Sequence, residues 1–212
     1  MPLDPQLLAA YLLACVVLIL TPGPDMLFVL GQTLAGGARR GWAAACGIYA
    51  GALVHIALAV LGLSALLAAS PGLFLAVRLA GAAYLIWLGI GALRGALRPG
   101  AAAPSSHAVP ETRQDGRAAF WQGALTNLLN PKVALFFLAF LPQFVAPDRA
   151  PAWVQMLLLG PLLPLLAVPF FAVLIALADR AVAALSAARR WLDGVSGAIF
   201  LGLGLRLLLA AR

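Results

Sequence analysis

Thr21-Pro22-Gly23-Pro24-Asp25 and Asn130-Pro131-Lys132 each interrupt a stretch that is otherwise apolar enough to cross a membrane. Proline within a helix removes one backbone donor and clashes with the carbonyl four residues back. In a bilayer the freed polar groups must find partners inside protein or in a water-filled cavity. Each break also leaves a charged side chain, Asp25 or Lys132, at membrane depth. Interrupted apolar segments at corresponding places in two halves of a chain are the mark of a transporter's binding site.

The surrounding composition agrees. The chain has 212 residues, of which 64% are hydrophobic and 10% charged, and its mean hydropathy is +1.01. A soluble domain carries roughly a quarter of its residues as charges. Apolar runs recur at or above the ~20 residues that span a bilayer, so the fold class is an all-α integral membrane protein.

The net charge of +7 follows topology and does not call for a nucleic-acid partner. Arg39 and Arg40 share one connection, Arg94, Arg98, Arg113 and Arg117 a second, and Arg180, Arg189 and Arg190 a third. The opposite connections hold little beyond Arg149 and Arg212. That alternation is what the positive-inside rule produces, and it puts both termini outside. Leu12-Leu13-Ala14-Cys15 faintly resembles a lipoprotein cleavage box, but no basic region precedes it and the apolar run continues to Leu20. The first segment is therefore expected to stay in the protein as a helix.

About six spans are expected: Leu7–Leu34 with its break, Trp42–Leu67, Gly72–Leu93, Ala118–Val145 with its break, Trp153–Leu177 and Trp191–Leu209. Trp42, Trp121, Trp153 and Trp191 fall near span starts, where an amphipathic ring suits the headgroup region. The stretch 94–117, with Pro99, Gly100, Pro104, Ser105, Ser106 and Pro110, is expected to be a flexible cytoplasmic linker. It separates two three-helix repeats, 1–93 and 118–212. Three spans per half would make the repeats inverted, with broken first and fourth helices. Gly81-Ala82-Ala83-Tyr84-Leu85 and Gly197-Ala198-Ile199-Phe200-Leu201 are the internal similarity that supports this.

Read locally, each break is a helix start. Thr21 before Pro22 and Asn130 before Pro131 place a capping side chain ahead of proline at the first helical position. Asp25 suits the positive end of a half-helix. Two such ends converging from opposite sides, together with Lys132, form a receptor for a carboxylate. Asp25 would bind an ammonium group or carry a proton. An amino acid presents both charges, so it matches the pair; the alternative is a mutual ion pair between Asp25 and Lys132 that only fixes packing.

Further candidates lie inside the spans. His55 is either a proton relay or an interhelical hydrogen-bonding group. Arg78 and Arg206 either serve the site, snorkel, or hold carbonyls freed by a break. Gly47 and Gly51 form a G-x-x-x-G packing face, and glycine-rich faces are compatible with a homodimer. Lys132 is the sole lysine and no Walker A loop surrounds it. Two histidines and two cysteines offer no metal cluster or nucleophile triad, so neither catalysis nor a cofactor is expected. An ion gradient, most simply of protons, remains as the drive.

Taken together, Leu20-Thr21-Pro22-Gly23-Pro24-Asp25-Met26-Leu27, Gly47-Ile48-Tyr49-Ala50-Gly51, Gly81-Ala82-Ala83-Tyr84-Leu85, Asn127-Leu128-Leu129-Asn130-Pro131-Lys132 and Phe136-Phe137-Leu138-Ala139-Phe140-Leu141-Pro142-Gln143-Phe144 resemble the motifs of the LysE-type amino-acid exporters, including the homoserine/threonine branch. The resemblance covers nearly the whole chain in the expected order. It implies a bacterial inner-membrane exporter of amino acids or related small metabolites, driven by the proton motive force, and it places weight on Pro22, Gly23, Pro24, Asp25, Asn130, Pro131 and Lys132. Many members carry an acidic residue where this chain has Ala52. With few acids near its spans, the chain is expected to take neutral substrates. The alternatives are a membrane thiol–disulfide relay through Cys15 and Cys46, and an uncoupled channel or scaffold.

Overall fold

A computed structural model of the chain describes residues 2–63, 71–97 and 116–209, parts of 71–97 and 179–209 as backbone only. The expected linker therefore lies largely outside the described residues. Everything described is helix or short connection. Helix α1 (Pro5–Leu20) starts at an Asp4 cap, whose Oδ1 accepts from the Gln6 and Leu7 amides at 2.9 and 3.0 Å. It ends at Thr21, and Pro24 opens α2 (Pro24–Leu58).

At ~1.5 Å per residue, a straight 35-residue helix would be about 50 Å long, well beyond a ~30 Å hydrocarbon core. The chain avoids this at Gly36 (φ −146°, ψ 17°) and Gly37 (φ 74°, ψ −179°). Gly37 occupies the left-handed region that favours glycine. Thr33 packs against Gly41, and Gln32 bonds to Arg40. Residues eight apart would be separated by ~12 Å along a straight helix, so the arms 24–35 and 38–58 meet at a sharp turn. This turn falls between the first two expected spans. A wider π turn, Ala59–Leu63, continues the second arm.

Helix α3 (Pro71–Leu97) follows. The second break then separates α4 (Gly116–Leu128) from α5 (Pro131–Leu135). The latter runs on through a π turn, Phe136–Phe140, and a 3-10 turn, Leu141–Phe144, and the two sides of the break are bent by 51°. Helices α6 (Ala152–Leu159) and α7 (Leu162–Ala176) form one apolar stretch of 25 residues. Helix α8 (Ala178–Leu209) begins after Leu177 alone.

Two expectations need correcting here. Arg180 rides on the first turn of α8, and Arg189 and Arg190 about three turns along it, none of them in a connection, because Ala-Val-Ala-Ala-Leu-Ser-Ala-Ala is rich in strong helix formers. Thr21 does not cap the helix after the first break. Its hydroxyl donates back to the Val17 carbonyl at 2.6 Å, the i−4 bond that Ser and Thr make inside helices. Gly23 occupies the N-cap position, and Pro24 stands at the helix start in place of Pro22.

Helix–helix contact relies on small residues, as expected where lipid removes any hydrophobic gain from association. A Cβ on Gly47 would strike the Phe120 carbonyl, and one on Gly123 the Ala44 carbonyl. Gly51 faces the Ala124 carbonyl and the Asn127 side chain. Gly89 and Gly197 bring α3 and α8 together in the same way, a Cβ on either meeting the carbonyl of the other. Leu13, Leu61, Leu129 and Leu165 are more than half exposed, an outward surface suited to acyl chains. Inside are two apolar clusters. One gathers Tyr11, Cys15, Phe136, Phe137, Phe140, Phe144 and Met156; the other Met26, Val29, Ala44, Ile48, Phe171 and Ile175.

Candidate functional site

Between these clusters lies an open-mouthed cavity of about 70 Å³, and both breaks reach it. Thr21, Gly23 and Asp25 come from the first break; Asn130 and Lys132 come from the second. Asn127 on the last turn of α4 and Tyr49 on the second arm of α2 complete its polar lining. Its other walls are apolar, from Leu18, Ile48 and Ala52 to the residues of α7.

The second break is built as a capped start. The Asn130 Oδ1 accepts from the Lys132 amide at 3.1 Å, and Pro131 takes the first helical position, where its missing N–H would be unpaired anyway. This sets the direction of the Lys132 side chain. Its Nζ donates to the carbonyl oxygens of Leu18 at 3.0 Å and Thr21 at 2.9 Å. These are the carbonyls at the end of α1 that the first break would otherwise leave unpaired. The cation thus rests on the negative end of a helix dipole.

Asp25 is held separately. Its Oδ2 accepts from the Asn127 Nδ2 at 2.7 Å, and the Asn130 amide faces it without meeting hydrogen-bond geometry. Arg149 makes ion pairs within 4.0 Å with Asp4 and Asp148, and no such pair joins Asp25 to Lys132. Asp25 and Lys132 therefore share a cavity without a direct ion pair, each charge resting on neutral dipoles. Four buried polar atoms of lining residues lack a protein partner: Asp25 Oδ1, Asn127 Oδ1, Asn130 Nδ2 and Tyr49 OH. An unmade hydrogen bond on a buried group costs about 1–3 kcal/mol. All four belong to residues that line this one cavity.

The remaining sequence candidates are placed as follows. His55 is buried behind the cavity, its Nε2 3.2 Å from the Asn127 carbonyl and its ring stacked on Phe137. Asn127 thus touches His55 through its backbone and Asp25 through its side chain. Gly47 and Gly51 face α4. Pro22 lies in the short connection before Gly23. The side chains of Arg78 and Arg206 lie outside the described residues. Cys15 is buried in the Tyr11 cluster, Cys46 is exposed, and both are free. Reasoning from sequence missed Asn127 as a site residue, although it stands only three residues before Asn130 as a second amide in the same polar interruption. It also missed Tyr49, between the paired glycines, and the whole α7 wall.

Comparison with known proteins places the chain among membrane translocators. The family model described as LysE type translocator matches residues 16–211. An uncharacterized membrane protein of Pseudomonas aeruginosa is 38% identical over 200 residues, 93% of this chain and 92% of that protein. A leucine efflux protein of Salmonella typhimurium is 36% identical over 135 residues, 64% of this chain and 61% of that protein. An uncharacterized membrane protein of Vibrio cholerae is 37% identical over 158 residues, 74% of each chain. No solved structure matches the chain.

Proposed function

The chain belongs to the LysE type translocator family, and on that premise we propose that it is a secondary-active exporter of neutral amino acids driven by proton influx. The observation that carries this reading is the shared cavity of Asp25 and Lys132, opposite charges held apart and ringed by unpartnered polar atoms. A zwitterion adds no net charge to that pair. Its ammonium meets Asp25 Oδ1 and Asn127 Oδ1, both acceptors without a donor. Its carboxylate meets the remaining N–H of Lys132 and the hydroxyl of Tyr49. The relative named for leucine efflux supports an amino-acid cargo.

In this reading the chain sits in a bacterial inner membrane with both termini periplasmic and the arginine-rich ends cytoplasmic, following the positive-inside pattern. Six spans form two inverted repeats, 1–93 and 118–212, joined by the cytoplasmic linker 94–117. Substrate enters from the cytoplasm, binds between the two breaks, and leaves outward as the repeats rock about the site. A proton taken up by Asp25 from outside displaces the ammonium and returns inward.

Counterflow of a labelled amino-acid panel in proteoliposomes, with and without an inward proton gradient, tests this. Saturable exchange with gradient-driven net flux is the expected result. Unsaturable flux indifferent to the gradient would make the protein an uncoupled channel. Full transport by both Asp25→Asn and Lys132→Ala would remove the proposed mechanism.

A further inference from the structure

The cavity is divided by chemistry. Its polar groups come from the two breaks, the end of α4 and Tyr49; α7 contributes Leu163, Pro164, Ala167, Phe170 and Phe171, with no polar side chain anywhere from Leu162 to Ala176. Leu163, Ala167 and Phe171 recur every four residues, which stacks them along one stripe of the helix. The middle member is the smallest, so the wall recedes at Ala167 between two large side chains. Those neighbours cannot fold into the recess freely. The ring of Phe171 is braced edge-on by Tyr49 at 6.0 Å and by Phe170 at 5.6 Å, and Leu163 and Phe171 are 7% and 5% exposed.

Resting on the amino-acid reading above, we infer that Ala167 is the specificity-determining residue of this translocator, the floor of an α7 subsite that receives the substrate's aliphatic side chain and limits its size. A substrate whose charged ends are held at the polar half presents its side chain to the apolar lining, to which α7 contributes five residues. Polar side chains meet no partner there and would be desolvated without compensation. Apolar ones gain with each methylene until the floor is reached. Filling the recess removes room for the longer chains and leaves the charged ends untouched.

The test is the ratio of leucine to alanine exchange, measured as kcat/KM by counterflow in proteoliposomes for the native protein, Ala167→Gly, Ala167→Val and Ala167→Phe. One methylene in an apolar pocket is worth about tenfold or more in such ratios. The expected result is a graded fall in the ratio from Gly through Val to Phe, at least tenfold overall, with alanine exchange retained in the Gly and Val variants. Should Ala167→Phe fail to fold, the Gly-to-Val step still reads the effect. A ratio constant within twofold across every variant that exchanges alanine would overturn the assignment. Native protein that exchanges no amino acid would refute the amino-acid reading itself, an outcome seen before any variant is made.

Discussion

The ammonium of Lys132 lies 2.9 Å from the carbonyl oxygen of Thr21, 111 residues earlier in the chain. A lysine from the second broken helix therefore closes the open end of the first. In water those carbonyls would be solvated; at membrane depth they need a protein donor. The same contact makes the two breaks one structural unit, with Gly23 pressed beside it. Lysine is suited to this place because one compact ammonium can serve two carbonyls and keep a third N–H toward the cavity.

Lys132→Met should expose this double role. It removes two hydrogen bonds from a charged donor, each worth about 1.5–3 kcal/mol, so thermal stability in detergent and counterflow rate should both fall sharply. Lys132→Arg should recover part of the stability and little of the transport, since a planar fork cannot reproduce the geometry. If Lys132→Met melted like the native protein and lost only transport, the lysine would serve the substrate and not the helix end.

Gly23→Ala separates the two effects further. The backbone there is extended (φ −164°, ψ −179°), so alanine adopts it without strain. Its Cβ, however, would sit 3.1 Å from Lys132 Nζ, and the flexible end of that side chain must yield. The expected outcome is a melting temperature within a few degrees of native and a several-fold loss of exchange rate.

Asp25 and Asn127 should behave as a pair. Asn127→Leu leaves a buried carboxylate oxygen without its donor, at a cost of about 1–3 kcal/mol. Asp25→Asn keeps the shape and removes the charge. Under the proposed mechanism it abolishes gradient-driven net flux and leaves residual exchange, a difference read by comparing counterflow with and without the proton gradient. In the double variant the stability losses should be less than additive, because each change removes the same contact.

How much of this was legible differs from residue to residue. Asn130-Pro131 carried its own local chemistry, a cap and a proline start, and folds accordingly. Thr21-Pro22 carries the same signal, but a second proline two residues on competes for the helix start, and the hydroxyl turns back to Val17. The turn at Gly36–Gly37 was legible as a gap between apolar runs flanked by arginines. The α7 wall was not, because one face of that helix meets a cavity, others meet lipid or protein, and all are apolar. Hydropathy has no contrast there from which to find a face. Gln155 was invisible for the opposite reason. A single polar residue in an apolar run, it is fully buried and clasps the Ala146 amide and the Ala146 and Ala150 carbonyls, partners that only the fold brings to it.

Gly47→Leu and Gly123→Leu should be among the most damaging changes outside the site. Each glycine meets backbone atoms of the opposing helix, and backbone cannot repack around an intruding side chain as a rotamer can. Separating α2 from α4 would also displace Asn127, which depends on that interface to reach Asp25. Both variants are expected to give little monodisperse protein on size exclusion, whereas Gly31→Leu, with open space around it, should purify normally.

The α1 cap gives a pH-dependent prediction remote from the cavity. The Leu7 amide foremost, then the Gln6 amide and the Arg149 guanidinium, hold the Asp4 carboxyl below its ordinary value against the opposing effect of partial desolvation. A carboxyl lowered in the folded state binds its proton more readily once unfolded, so it stabilises above the unfolded value and loses that contribution as pH falls through the folded one. With an unfolded value of about 3.9, the contribution is complete near neutrality and gone in stronger acid. Asp4→Ala should therefore melt below the native protein at pH 7, with the gap narrowing as the pH falls below the ordinary carboxylate range. Asp4→Asn keeps a capping oxygen without an ionisable group, so it should melt above Asp4→Ala by an amount that does not vary with pH. A gap between native and Asp4→Ala that stayed constant from pH 7 to pH 3 would show that the cap acts through its shape alone.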